Sequence, residues 1–217
     1  MPQACGYDAV MKSRFNLLLV LLVLTEMART ESAFATLLTF DHLSTGAVPG
    51  LDHTVVPNGY GGLSWDNFGA LDGLAAGHSY GYYTGVVSPN NVAFNMYGDS
   101  ASISVSSGSF DLESAYLTSA LNSVPIQQIQ VQGFVGGTVV YNNICTVNNY
   151  GPTLINFDYV GIQSVTFTSG SQQFAMDNLA VSVPEPDTLG FWTVCAAGIA
   201  LKFGLRRPRL SSCLRRN

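Results

Sequence analysis

Lysine and arginine are missing from the whole stretch between Thr36 and Val183 of this 217-residue chain, although nine acidic residues remain there. All nine basic residues lie near the ends: Lys12, Arg14 and Arg29 on one side, Lys202, Arg206, Arg207, Arg209, Arg215 and Arg216 on the other. The middle therefore carries a formal charge of −9. Binding to DNA or RNA requires cations that neutralise phosphates and release counterions, and this stretch has none. Nucleic acid is excluded as a partner, and phosphate-rich cofactors are disfavoured on the same ground. Cysteine is nearly absent too. Only Cys145 falls inside the middle, so no intradomain disulfide can form, and a small buried hydrophobe on a strand is the expected role. No amphipathic run of helix length occurs outside the termini. No internal repeat is visible, which argues against propellers and solenoids.

What is present divides the chain into three parts. Residues 1–35 read as a signal peptide. Lys12 and Arg14 precede the ten-residue apolar core Phe15–Leu24, and Ala33-Phe34-Ala35 has the small-x-small form of a cleavage site. Ten residues are too short to span a bilayer, so the segment is expected to export the chain rather than anchor it. Met11, just ahead of the basic residues, is the expected initiator. Residues 36–182 form the middle domain, and residues 183–217 a C-terminal segment of different character.

In that last segment Val183-Pro184-Glu185-Pro186 is followed by Asp187-Thr188-Leu189, an apolar run and then Arg206, Arg207 and Arg209. Two prolines stop strand or helix from continuing and leave a stiff linker. Residues 188–205 predict a transmembrane helix of roughly 27 Å at about 1.5 Å per residue. Lys202 can snorkel to the interface, and the arginines hold that end on the cytoplasmic side. Motif, apolar span and basic terminus together resemble the PEP-CTERM sorting signal of Gram-negative bacteria. The resemblance implies recognition by exosortase, a membrane cysteine transpeptidase, near Pro184, Glu185 and Pro186. It also implies transient membrane anchoring, release to the cell surface or medium, and a link to extracellular polysaccharide or biofilm. Lys202 and the tail beyond Arg209 depart from the usual pattern. A plain single-pass anchor is the competing reading.

The middle domain is rich in Gly, Ser, Thr, Asn, Tyr and Val. Ile129-Gln130-Val131-Gln132, Val165-Thr166-Phe167-Thr168 and Ala101–Val105 alternate apolar and polar residues with period two, and Phe174–Val181 is a further candidate strand. Turn clusters such as Ser88-Pro89-Asn90-Asn91, Gly136-Gly137 and Ser169-Gly170 separate them. This spacing predicts an all-β, two-sheet sandwich of jelly-roll type. The segments Val56–Phe68, Thr39–Leu43 and Phe174–Leu179 resemble secreted bacterial domains akin to the galactose-binding-like jelly rolls of carbohydrate-binding modules. That likeness concerns fold and does not establish sugar binding.

Three constellations are candidates for chemistry. Asp41 follows the apolar residues of the first strand, and Asp177 sits in the last strand. With no Lys or Arg to pair them, a shared Ca²⁺ would satisfy both carboxylates; the alternative is that each accepts backbone N–H bonds. No other cofactor is expected. Tyr60, Trp65 and Tyr82, from an aromatic-rich region, are candidates for stacking on sugar, although a lone Trp in a sandwich is more often core. Asp111 and Glu113 share one strand face at roughly 7 Å, within the range of inverting glycosidases. Alternation in Phe110-Asp111-Leu112-Glu113 equally places acids in water and apolar groups inside. His42, His53 and His78 form no dyad by spacing, and no nucleophile elbow occurs. The combined expectation is a non-enzymatic, exported β-sandwich of the envelope or extracellular matrix. A secreted carbohydrate-binding module is the alternative, and a glycoside hydrolase the weakest option.

Overall fold

A computed structural model describes residues 34–45 and 52–183. Met11 and Ala33 of the leader, the Pro184-Glu185-Pro186 motif, the 188–205 span and the arginines beyond it lie outside the described residues. Ala35 lies inside them. It sits on the first strand opposite Ser182, so cleavage after Ala35 would leave Thr36, Leu37 and Leu38 of that strand.

The fold is all-β. Twelve strands run in chain order: β1 (Phe34–Leu38), β2 (Thr54–Val55), β3 (Ser64–Asp66), β4 (Phe68–Asp72), β5 (Asn91–Asn95), β6 (Ala101–Ser104), β7 (Phe110–Ser119), β8 (Ile126–Val135), β9 (Thr138–Asn148), β10 (Thr153–Ile162), β11 (Ser164–Thr168) and β12 (Phe174–Val183). One sheet has the order β10-β7-β12-β5-β4-β2, with β1 also paired to β12; the other has the order β3-β6-β11-β8-β9. The predicted jelly roll is visible in the pairings. β8 pairs with β9, β7 with β10, β6 with β11 and β5 with β12, all antiparallel. This is one long hairpin rolled into two facing sheets.

Period-two alternation drives the packing. Inward residues of the five-stranded sheet, among them Trp65, Ile103, Val131, Val165 and Phe167, meet Phe68, Leu112, Leu117, Phe174 and Met176 of the larger sheet in one core. Phe167 lies edge-on to Phe68 at 5.9 Å, and Phe68 to Phe174 at 6.3 Å. Each such ring, fully removed from water, contributes about 1.5–3 kcal/mol.

The two outer faces differ. On the larger sheet, Leu71, Val92, Phe94, Ala120 and Ala175 form a second small core with Tyr82, Val86 and Met96. The segment from Gly73 to Asn90 supplies that cover, including a single helical turn, α1 (Gly81–Thr84). Gly81 permits the close approach. A Cβ there would collide with the Ser119 carbonyl, while the Gly81 N–H donates to Ala120 O at 2.9 Å. The sequence contains no signal for this layer, because a one-turn helix has no periodicity to read. Among the described residues, the outer face of the five-stranded sheet has no comparable hydrophobic layer.

Candidate functional site

That face is the candidate site. Directly opposed residues in an antiparallel ladder point to the same side of a sheet, so the strand registers assemble rows that cross it. One row runs Asp66, Ser102, Thr166, Gln132, Asn142, and a second runs Ser64, Ser104, Ser164, Phe134. A third contains Thr168, Gln130 and Ile144. Their sequence neighbours Ile103, Val131, Val165 and Phe167 are buried in the core, which turns these side chains outward. Gln130 Nε2 donates to Asn142 Oδ1 at 2.9 Å, and the hydroxyls of Ser100 and Thr168 lie 2.9 Å apart. Asp66 is the one charged residue in these rows. A half-solvated antiparallel face of this size can carry charges of either sign, and apart from Asp66, Phe134 and Ile144 these rows carry hydroxyls and amides. Each hydroxyl and amide both donates and accepts. The array can therefore match a neutral, hydroxyl-rich partner without desolvating an ion, the costliest step in polar recognition.

The aromatic residues singled out from sequence belong elsewhere. Trp65 is in the core, 6% exposed, with Nε1 donating to Tyr60 O at 2.9 Å and its ring edge-on to Phe68 at 5.3 Å. It cannot stack on a sugar, because its faces are already covered. Tyr60 stacks on Phe40 at 5.6 Å, and its hydroxyl accepts the Phe40 N–H at 2.8 Å. Burial raises the pKa of that hydroxyl, with the charges of Asp41 and Asp177 adding to the rise. Tyr82 lies edge-on to Phe94 and donates to Gln173 Oε1 at 2.8 Å; burial pushes its pKa well up. All three are structural. The tyrosines most open to solvent among the described residues are Tyr97 and Tyr150, at 79% and 78% exposed.

Asp41 and Asp177 are brought into one neighbourhood, since β1 and β12 pair as adjacent strands. Both grip the same loop. Asp177 is fully buried; Val87 N–H and Ser88 N–H donate to Oδ2 at 2.7 and 2.9 Å, and the Ser88 hydroxyl and Asn178 N–H to Oδ1 at 3.0 and 2.7 Å. A carboxylate offers about four lone-pair positions. Here N–H and O–H donors take them. Asp41 Oδ1 accepts the Asn91 N–H at 3.1 Å, and Asn91 Nδ2 donates to Phe40 O and Leu43 O. Burial raises the Asp177 pKa, and the four hydrogen bonds pull it partly back. Among the described residues no group of three or more His, Cys, Asp or Glu is placed to hold a metal ion.

Asp111 and Glu113 face away from the core, where Phe110 and Leu112 are buried. Each is tied to a different neighbouring strand. Asp111 Oδ1 accepts the Gly161 N–H of β10 at 2.7 Å, while Glu113 Oε1 accepts the Ser182 hydroxyl of β12 at 2.6 Å. Their partners diverge to opposite sides of β7. His53 packs edge-on to Phe94, and His78 lies 4.1 Å from the Tyr83 ring.

The outward positions Ser102, Gln130, Gln132, Thr166 and Thr168 were legible only as the polar half of each strand. One signal pointed to them: in three separate strands, that half holds hydroxyls and amides without a charge. No protein-family model and no curated protein sequence matches the chain. Among solved structures, the chain is similar at a TM-score of 0.33 and 12% identity to the CBM22-1 and GH10 modules of Clostridium thermocellum N-terminal endo-1,4-beta-D-xylanase 10B, complexed with xylohexaose. The match covers 63% of this chain and 28% of that one.

Proposed function

We propose that this protein is an exported, non-enzymatic β-sandwich of the cell envelope or extracellular matrix that holds neutral extracellular polysaccharide on the outer face of its five-stranded sheet. The observation that carries the reading is the composition of that face: rows mostly of Ser, Thr, Gln and Asn, with Phe134 and Ile144 as apolar members and Asp66 as the lone charge. A body of formal charge −9 repels anionic polymers, so the partner is an uncharged glycan. Export and sorting rest on the sequence: the leader ending at Ala35, and the Pro184-Glu185-Pro186 motif with its apolar run and arginines. In this reading exosortase and the secretion machinery are transient partners, and the membrane is a way station.

Two measurements on the protein from its host test the two halves separately. Co-sedimentation of the full chain with the host's own insoluble polysaccharide should retain it, and retention should persist in high salt. Loss of retention at every salt concentration defeats the glycan reading. Mass spectrometry of the mature termini should show a start at Thr36 and an end close to Pro184-Glu185-Pro186; an intact chain recovered from the cytosol defeats the export reading.

A further inference from the structure

The two sheet paths end in four strands, β10 and β2 in one sheet, β3 and β9 in the other, and the five-residue β1 lies off the path against β12. Three of these edges are blunted. β2 is two residues long. β3 is three residues long and ends in the exposed, charged Asp66. β10 is broken by two register shifts, with Asp158 at φ 52 and Gly161 at φ 68. Short length, charge and bulges are the ordinary devices that keep an edge from pairing with another strand.

β9 has none of them over most of its length. It is eleven residues long, pairs only with β8 among the described strands, and keeps unbroken register from Tyr141 to Asn148. It contains no Pro, Lys, Asp or Glu, and no charged residue of either sign occurs anywhere between Glu113 and Asp158. Val139, Val140 and Ile144 are exposed along it, Ile144 at 63%. An open strand edge is completed by another strand.

We infer that β9 pairs antiparallel with β9 of a second copy, making a twofold dimer whose two five-stranded sheets join edge to edge. Charge selects this occupant and this edge. Two bodies of formal charge −9 with no Lys or Arg repel wherever their carboxylates approach, and the uncharged β8–β9 hairpin is where they can meet without that cost. Period-two geometry restricts the register. Asn142, Ile144 and Thr146 face outward, so the pairing must keep even residues opposite even ones. A twofold centred on Ile144 does so and sets Ile144 against its own copy, with Asn142 against Thr146. Like then meets like, and the polar outer faces merge into one surface. Isologous twofold contacts of this kind are the commonest protein assembly.

Sedimentation velocity of the full chain in non-denaturing detergent tests this, with Ile144→Lys, Thr146→Lys and, as a control on β10, Leu154→Lys. The wild type and Leu154→Lys should sediment as dimers. Ile144→Lys should be a monomer with unchanged circular dichroism, since two lysines would oppose each other across the twofold, and Thr146→Lys, set against Asn142, should weaken the dimer at least tenfold. Added salt should strengthen the wild-type dimer by screening the carboxylates. Those amides of residues 142–146 that point away from β8 should be protected from exchange in the wild type and lose that protection in Ile144→Lys. A wild type monomeric at all concentrations overturns the inference. So does a dimer that survives both β9 variants, which would place the contact in the terminal segments. Neither result bears on polysaccharide retention, which is read separately.

Discussion

Ser88 is held to Asp177 twice: its N–H donates to Oδ2 at 2.9 Å and its hydroxyl to Oδ1 at 3.0 Å. Residues eighty-nine positions apart are thereby locked, and the loop that covers the larger sheet is fastened to the last strand. Asp177→Asn replaces one acceptor oxygen with an NH₂ that confronts N–H donors. It should destabilise the fold by about 1–3 kcal/mol, the cost of leaving buried donors unmet. Chemical denaturation measures it. Because the lone pairs of Asp177 are already engaged, the melting temperature should be indifferent to calcium and to EDTA; a rise with calcium would show a bound ion.

The pH dependence follows in sign. Burial is the leading cause of a raised folded-state pKa for Asp177. Below the unfolded carboxylate pKa its contribution to stability is fully present; it is lost as pH rises through the raised folded value, and constant above. Stability of the wild type relative to Asp177→Asn should therefore decline across that interval and then level off. Denaturation curves at a series of acidic pH values check this.

Charges placed on the outer face should separate binding from folding. Gln132→Glu with Thr166→Glu puts two carboxylates on adjacent strands of the same row. Both positions face outward, so stability should change by no more than about 1 kcal/mol. Retention on neutral polysaccharide should fall at least tenfold, because the partner would have to desolvate ions it cannot pair. Unchanged retention would remove this face from consideration.

Trp65 and Tyr97 should behave in opposite ways. Trp65→Ala empties a core position packed by Phe40 and Phe68 and should cost about 3–5 kcal/mol. Tyr97→Ala, at an exposed site, touches no core. Tyrosine and alanine both carry a Cβ and meet a similar penalty at φ 60, so the change should stay within about 0.5 kcal/mol. Thermal melts of the two variants distinguish them.

Gly81→Ala should lower the melting temperature by roughly 2–8 °C, corresponding to about 1 kcal/mol or more. The added methyl has no room against the Ser119 carbonyl, and backbone must shift to admit it. Gly108→Ala is a useful companion. Its Cβ meets nothing within 4 Å, so only the strain of φ 74 would be felt.

Local alternation was enough to determine the class of this fold. In Ile129-Gln130-Val131-Gln132 and Val165-Thr166-Phe167-Thr168 the strand period forces every second side chain into the core, so the sequence alone names which half is buried. The absence of cations likewise needed no structure, since composition decides it. β9 escaped the same reasoning. An edge strand exposed on both faces shows no alternation until Cys145 and Val147 turn inward near its end. What only tertiary structure decided was which distant residues meet. Which N–H donors Asp41 and Asp177 meet depends on where the Val86–Asn91 segment lands. Whether Ser102, Thr166 and Gln132 are scattered polar residues or one continuous row depends on strand register, and register is set by long-range pairing that no local pattern encodes.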